Sequence, residues 1–217
     1  FNFDTDGNVS AGKAVVQDKS DEAEVVGLYS EQRVRKGTAV AAEVEYYQAR
    51  MATITSADDF VSDSRLFEFA LTAYGIDASI ASESAIKAVI SGDLSGVAAS
   101  PDIAKYQKLA DAFSFAADGT VPAGQAQTAS QITQTIYLNY DATGAGASPA
   151  AAGFKTNVYT SQMQAVTSVD DLINNPMLLD YALTAVGLDP VITSPVVVRQ
   201  VLTSDLSDPE SVANSKP

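Results

Sequence analysis

Two pairs of adjacent carboxylates, Asp58–Asp59 and Asp170–Asp171, are the residues of this chain best suited to chemistry. Paired carboxylates serve acid–base and glycosidase sites, where one group holds a proton while the other stays ionised. The run Asp4 to Asn8 (AspThrAspGlyAsn) carries the alternating oxygens of a calcium loop. That loop needs Gly at its sixth position and Glu at its twelfth, and counting from Asp4 finds Val9 and Val15 there. Arg33, Arg35 and Lys36 form a basic cluster able to meet an acidic partner. The chain has no His, Cys or Trp. This excludes imidazole bases, Ser-His-Asp triads, thiol nucleophiles, disulfides and the usual zinc ligands. No Gly-rich phosphate loop of the Walker or dinucleotide type is present. With 13 basic and 27 acidic residues the net charge is −14, which argues against nucleic acid and anionic membranes as partners.

Each candidate also has a structural explanation. Ser56 precedes Asp59 by three positions, as Ser168 precedes Asp171, the spacing of a capping box with Asp in place of Glu. Acidic residues in a first helical turn also meet the positive end of the helix dipole. Asp77 and Asp189, and Asp93 and Asp205, fall in turns, where side-chain bonds to the backbone hold loops. Arg33, Arg35 and Lys36 sit near an expected helix C-terminus, which favours cations. Tyr46, Tyr47, Tyr106, Tyr137, Tyr140 and Tyr159 read as packing aromatics. No catalytic, cofactor-binding or metal-binding residue is therefore assigned, and no cofactor is expected. The leading expectation is a non-enzymatic interaction module. The alternative is a small-ligand binder or carboxylate-based hydrolase using Asp58, Asp59 or their copies.

What positions these residues is an internal repeat. Thr55 to Phe60 (ThrSerAlaAspAspPhe) returns as Thr167 to Leu172 (ThrSerValAspAspLeu), a step of 112 positions. Ala70 to Asp77 returns as Ala182 to Asp189 at the same step. Between Ile54 and Ser95, 17 of 42 positions are identical, too many for chance in an ungapped register. Phe1 to Val9 matches Phe113 to Val121, again 112 apart, while Tyr106 to Phe113 has no second copy. The implied organisation is an end motif of a preceding repeat at 1–19, a first repeat at 20–122, and a second at 123–217 that is cut short. Truncation of a longer protein is the preferred explanation. The other is that the opening Phe motif completes the second repeat in space, or packs on a neighbour and drives self-association.

The elements read as helical, giving an all-α, multihelical fold with a 112-residue period. Asp63 and Asn175 are N-caps, with Pro176 at a first helical position. The helices they start are apolar nearly all round and end at Gly75 and Gly187, which can take the left-handed conformation. Further helices follow Ser82 and Ser194, and others cover about 38–51 and begin at Ser148–Pro149. Ser100–Pro101 and Asp208–Pro209 are expected to cap one more helix each. Ile132 to Tyr140 alternates enough for a short strand, and Gly144 to Ser148 reads as a loop. No apolar run approaches the ~20 residues of a membrane span, and no signal peptide is in view.

AspAspPhe, the AlaLeuThrAla helix end with its Gly and Asp, AspLeuSer, and Tyr followed by PheSerPhe resemble the bacterial family catalogued as domain of unknown function 1217. The likeness covers 47–121 and again 159–214. That resemblance implies a duplicated multihelical protein from a flagellar gene neighbourhood, hence a protein partner, flagellar in kind, and a cytoplasmic or flagellum-associated location. It implies no activity and no site residues.

Overall fold

The computed structural model describes residues 1–12, 16–33, 39–122 and 124–214. Among these residues it is all-α, with eleven helices. The chain forms two compact units: unit 1 combines 1–34 with 152–217, and unit 2 is 35–151. These units are cut elsewhere than at the sequence boundaries of 19/20 and 122/123. The opening segment packs with residues of 152–217.

Unit 2 contains α2 (Ala39–Met51), α3 (Ala57–Ser62), α4 (Ser64–Ala73), α5 (Glu83–Ile90), α6 (Ile103–Asp111) and α7 (Ala129–Ala142). α4 is the buried helix, with Leu66, Phe67, Phe69, Ala70, Leu71 and Ala73 inside. Asp63 caps it by accepting the Leu66 N–H, and its end closes with Gly75 at φ +68° and the Ile76 amide donating 2.9 Å to the Leu71 carbonyl. It packs between α2 and α7, while α3 and α6 both pack on α5. The fully buried Leu109 of α6 and the ring of Phe113, 4.8 Å from Phe60, close that side of the core.

Unit 1 contains α1 (Lys19–Arg33), all but the first three residues of α8 (Pro149–Met163), α9 (Val169–Ile173), α10 (Pro176–Ala185) and α11 (Pro195–Leu202). Its core gathers Val16, Tyr159, Met163, Leu172, Leu178 and Tyr181, with Phe3, Val9 and Val25 packed on it. α1 lies on α10, and α9 touches both α10 and α11. Asn175 caps α10 through the Met177 and Leu178 amides, as Asp63 caps α4.

Two expectations are corrected. Ile132–Tyr140 is not a strand but the body of α7, started by a full capping box in which Thr128 and Gln131 exchange side-chain and backbone bonds. Its Thr133 and Thr135 hydroxyls bond back to the carbonyls of Ala129 and Gln131, so these β-branched residues are accommodated inside a helix. After Asp208–Pro209 no helix follows among the described residues. The Asn214 side chain donates to the carbonyls of Leu206 and Asp208, so the chain stays in turns. The 144–148 loop holds a single 3₁₀ turn at Ala145–Ala147.

Candidate functional site

The paired carboxylates are spent on helix starts. Asp59 accepts the Thr55 hydroxyl at 2.5 Å and the Thr55 N–H at 3.2 Å, while its own amide donates to Ser56. Asp171 likewise accepts from the Thr167 hydroxyl and from the Thr167 and Ser168 amides. The Thr55 hydroxyl and amide hold the Asp59 carboxyl below its ordinary range, and the Thr167 amide and hydroxyl do so for Asp171. A general acid needs the opposite shift. The outer carboxylates meet cations one helix away: Asp58 pairs with Lys87 at 2.6 Å, and Asp170 pairs with Arg199.

The loop aspartates act on the backbone. Asp77, Asp93, Asp118, Asp189 and Asp205 each accept the N–H two residues on. Asp4 spends one oxygen on the amides of Asp6 and Asn8, both 3.0 Å away. Gly7 and Gly119, at φ +83° and +81°, turn the chain so that their carbonyls accept the Val169 and Ala57 amides, each at 2.8 Å. A Cβ at Gly119 would also stand 3.4 Å from that of Ala57.

Asp59, Asp77, Asp93, Asp118, Asp171 and Asp205 are all held low by side-chain and backbone hydrogen bonds. In the unfolded chain an Asp titrates near ~3.9, above these folded values. Their contribution to stability is therefore complete above about pH 4 to 5 and is lost as pH falls through the folded values. Thermal melts should be flat from neutrality to about pH 5 and decline steeply below about pH 4. A melting temperature unchanged at pH 3, roughly one unit below the unfolded pKa, contradicts this role for the aspartates.

A second polar group lies on unit 2. Asp63 accepts the Tyr46 hydroxyl at 2.8 Å and Arg50 Nε at 3.0 Å. Arg65 stacks 3.6 Å above the Tyr46 ring and binds Glu43 through two nitrogens. Burial pushes Asp63 upward, but Arg50, Tyr46 and the Leu66 amide outweigh it and hold the carboxyl low. Every charge in this group is already matched within it. The Arg33, Arg35 and Lys36 side chains lie outside the described residues.

Gln17, Gln127 and Lys155 are among the buried polar residues that sequence reasoning missed. Tyr47 donates to Gln127 at 2.8 Å, and Tyr159 donates to Gln17 at 2.6 Å. The glutamines escaped notice because they stand 110 positions apart, off the 112 register. Lys155, 1% exposed, faces Asp180 at 3.6 Å. Of the tyrosines named above, Tyr47, Tyr137, Tyr140 and Tyr159 are buried, and Tyr46 and Tyr106 are half-buried.

The surface feature left without an internal use is apolar. A groove of about 520 Å³ in unit 1 is lined by Leu172, Val186, Leu188, Ile192, Val198 and Val201, among others, with Phe1 at its edge. Val186, Leu188 and Ile192 are 60%, 47% and 81% exposed. No residue of α11 is buried. Three of its counterparts in unit 2, Ile86, Val89 and Ile90 of α5, are each 1% exposed. Scattered exposed apolar residues need no explanation, but a contiguous apolar groove does.

No family model matches the chain, and no curated protein matches it. A structural-genomics crystal structure of a protein from Agrobacterium tumefaciens is similar at 20% identity and a TM-score of 0.34, over 89% of this chain and 76% of that one.

Proposed function

We propose that this chain is a non-enzymatic helical interaction module, built from a duplicated scaffold, that receives a protein partner in the α10–α11 groove. The observation that supports this reading is the groove itself: Val186 and Leu188 stand exposed where their counterparts in unit 2, Tyr74 and Ile76, are each 7% exposed. Nucleic acid is a poor partner for a chain of charge −14. Among the described residues no helix is long and apolar enough to cross a membrane. The hydrolase alternative has no observation in its favour, since Asp59 and Asp171 are held low by cap hydrogen bonds.

A role in motility rests on the family resemblance alone. Deletion of the gene is expected to impair swimming, with rescue by the wild-type chain but not by Val198→Asp. Normal swimming after deletion rejects the motility link. Full rescue by Val198→Asp rejects the groove as the functional surface.

A further inference from the structure

We infer that residues 1–34 form an exchangeable closing segment: they close unit 1 of a second copy as they close their own, and so join two chains. The partner is a second copy of this chain, and the groove plays no part in the inference.

The basis is that both units are closed by the same piece, 113–142 in unit 2 and 1–33 in unit 1. The two pieces make matching contacts. Phe1 stacks on Phe3 at 5.9 Å, and Phe113 on Phe115 at 5.7 Å. The Asp4 and Ala116 amides each donate 2.9 Å across a tight hook, to the carbonyls of Asn8 and Thr120. From that hook the Gly7 carbonyl takes the Val169 amide at the start of α9, as Gly119 takes Ala57 at the start of α3. Asn8 bridges Ser168 just as Thr120 bridges Ser56. Asn2 donates to the Val16 carbonyl at 2.6 Å, and Ser114 to that of Ala126 at 2.8 Å. Gln17 and Gln127 then accept the hydroxyls of Tyr159 and Tyr47. Finally α1 lies on α10 as α7 lies on α4.

What differs is the connection. In unit 2 the piece follows directly on α6. In unit 1 all of unit 2, residues 35–151, separates it from the surface that it closes. One docking geometry is thus reached through two unrelated connections, so the contacts fix it and the covalent route does not. The same segment from another copy meets identical partners. Val16 and Gln17 become buried, and Phe3, Val9, Val25 and Val26 pack against the core of Tyr159, Leu172, Leu178 and Tyr181. These contacts cancel between the self-closed and exchanged forms, which leaves concentration to set the balance. Self-closure wins in dilute solution. Exchange gains as the chain nears the roughly millimolar effective concentration of a tethered segment. Reciprocal exchange gives closed dimers, and one-way exchange gives open chains.

The bridge between Asn8 and Ser168 supplies the test, and a chain without Cys keeps it clean. The Val169 amide on the Gly7 carbonyl makes these two a non-hydrogen-bonded antiparallel pair, the closer kind, within reach of a disulfide. Full-length Asn8→Cys and Ser168→Cys chains are mixed in denaturant, refolded together at about 1 mM and oxidised. Exchange gives an interchain 8–168 disulfide, identified by peptide mass. Its yield should exceed at least tenfold that of Asn8→Cys mixed with Val191→Cys, a 91% exposed position of unit 1 outside the bridge. It should fall at least tenfold on refolding at about 1 µM.

The double variant Asn8→Cys/Ser168→Cys, oxidised when dilute, locks the segment at home and should stay monomeric by light scattering at about 1 mM. Should Ser168→Cys cost the α9 cap and unfold the chain, wild type carries the test. Its dimers, formed by concentrated refolding, should persist on dilution and vanish only after unfolding and dilute refolding. Monomers at every concentration, an interchain yield equal to the Val191→Cys control, or dimers that dissociate at once on dilution overturn the inference. Dimers formed equally well by the locked variant use another surface. They overturn it too, and leave the interaction reading standing.

Discussion

Replacing Tyr47 by Ala is expected to cost about 3–5 kcal/mol of stability, the range for deleting a buried aromatic ring. The ring is fully buried and stacks on Phe69 with centroids 4.4 Å apart. Its hydroxyl is the donor to Gln127, whose amide group donates in turn to the Ala112 carbonyl at 2.8 Å and to Thr135 at 3.2 Å. The Thr135 hydroxyl also meets that of Tyr74 at 3.1 Å, so one network links α2, the 112–127 connection, α4 and α7. Tyr47→Phe keeps the ring and strands the Gln127 oxygen, at a cost of about 1–3 kcal/mol. Tyr159→Phe should behave alike in unit 1, where the ring stacks 4.4 Å from Tyr181 and the hydroxyl bonds Gln17. Burial pushes both hydroxyls far above their ordinary range. Urea denaturation of the set checks the order. A Tyr47→Phe variant as stable as wild type would show that the hydrogen bond contributes nothing net.

The second large effect is expected at Lys155 and Asp180. Lys155 is 1% exposed and Asp180 about a quarter exposed, so removing the carboxylate takes a counter-charge away from a buried ammonium. Asp180→Ala should therefore cost about 3 kcal/mol. Lys155→Met, which fills similar volume without a charge to desolvate, should cost less than about 1 kcal/mol. The asymmetry is the prediction, and denaturant midpoints for the two variants measure it. If Lys155→Met is the more damaging, the ammonium makes attractive interactions that outweigh its desolvation.

How much of this was legible depends on where the information lies along the chain. Capping is local: Ser56–Asp59, Ser168–Asp171, Asp63 and Asn175–Pro176 stand at the helix starts where their types and spacing put them. Ile132–Tyr140 reads as a strand by its alternation, to which β-branched Ile132, Thr133, Thr135 and Ile136 lend themselves. The ThrAlaSerGln box at Thr128–Gln131, immediately upstream, carries the helix signal. The Tyr–Gln pairs, Lys155 with Asp180, and the open groove are long-range facts. No local pattern records that no residue of α11 is buried while Ile86, Val89 and Ile90 of α5 are.

Unit 1 is discontinuous, and during synthesis this becomes an order of events. At about 5–20 residues per second, residues 35–151 take roughly 6 to 23 s to emerge. Throughout that time α1 has no α10 to lie on, and Gln17 waits for Tyr159, 142 positions later. Unit 2 is contiguous and is free to fold in the interval. The nascent chain therefore carries residues 1–34 as an unsatisfied segment, open to chaperones and proteases until the ribosome has delivered their partners.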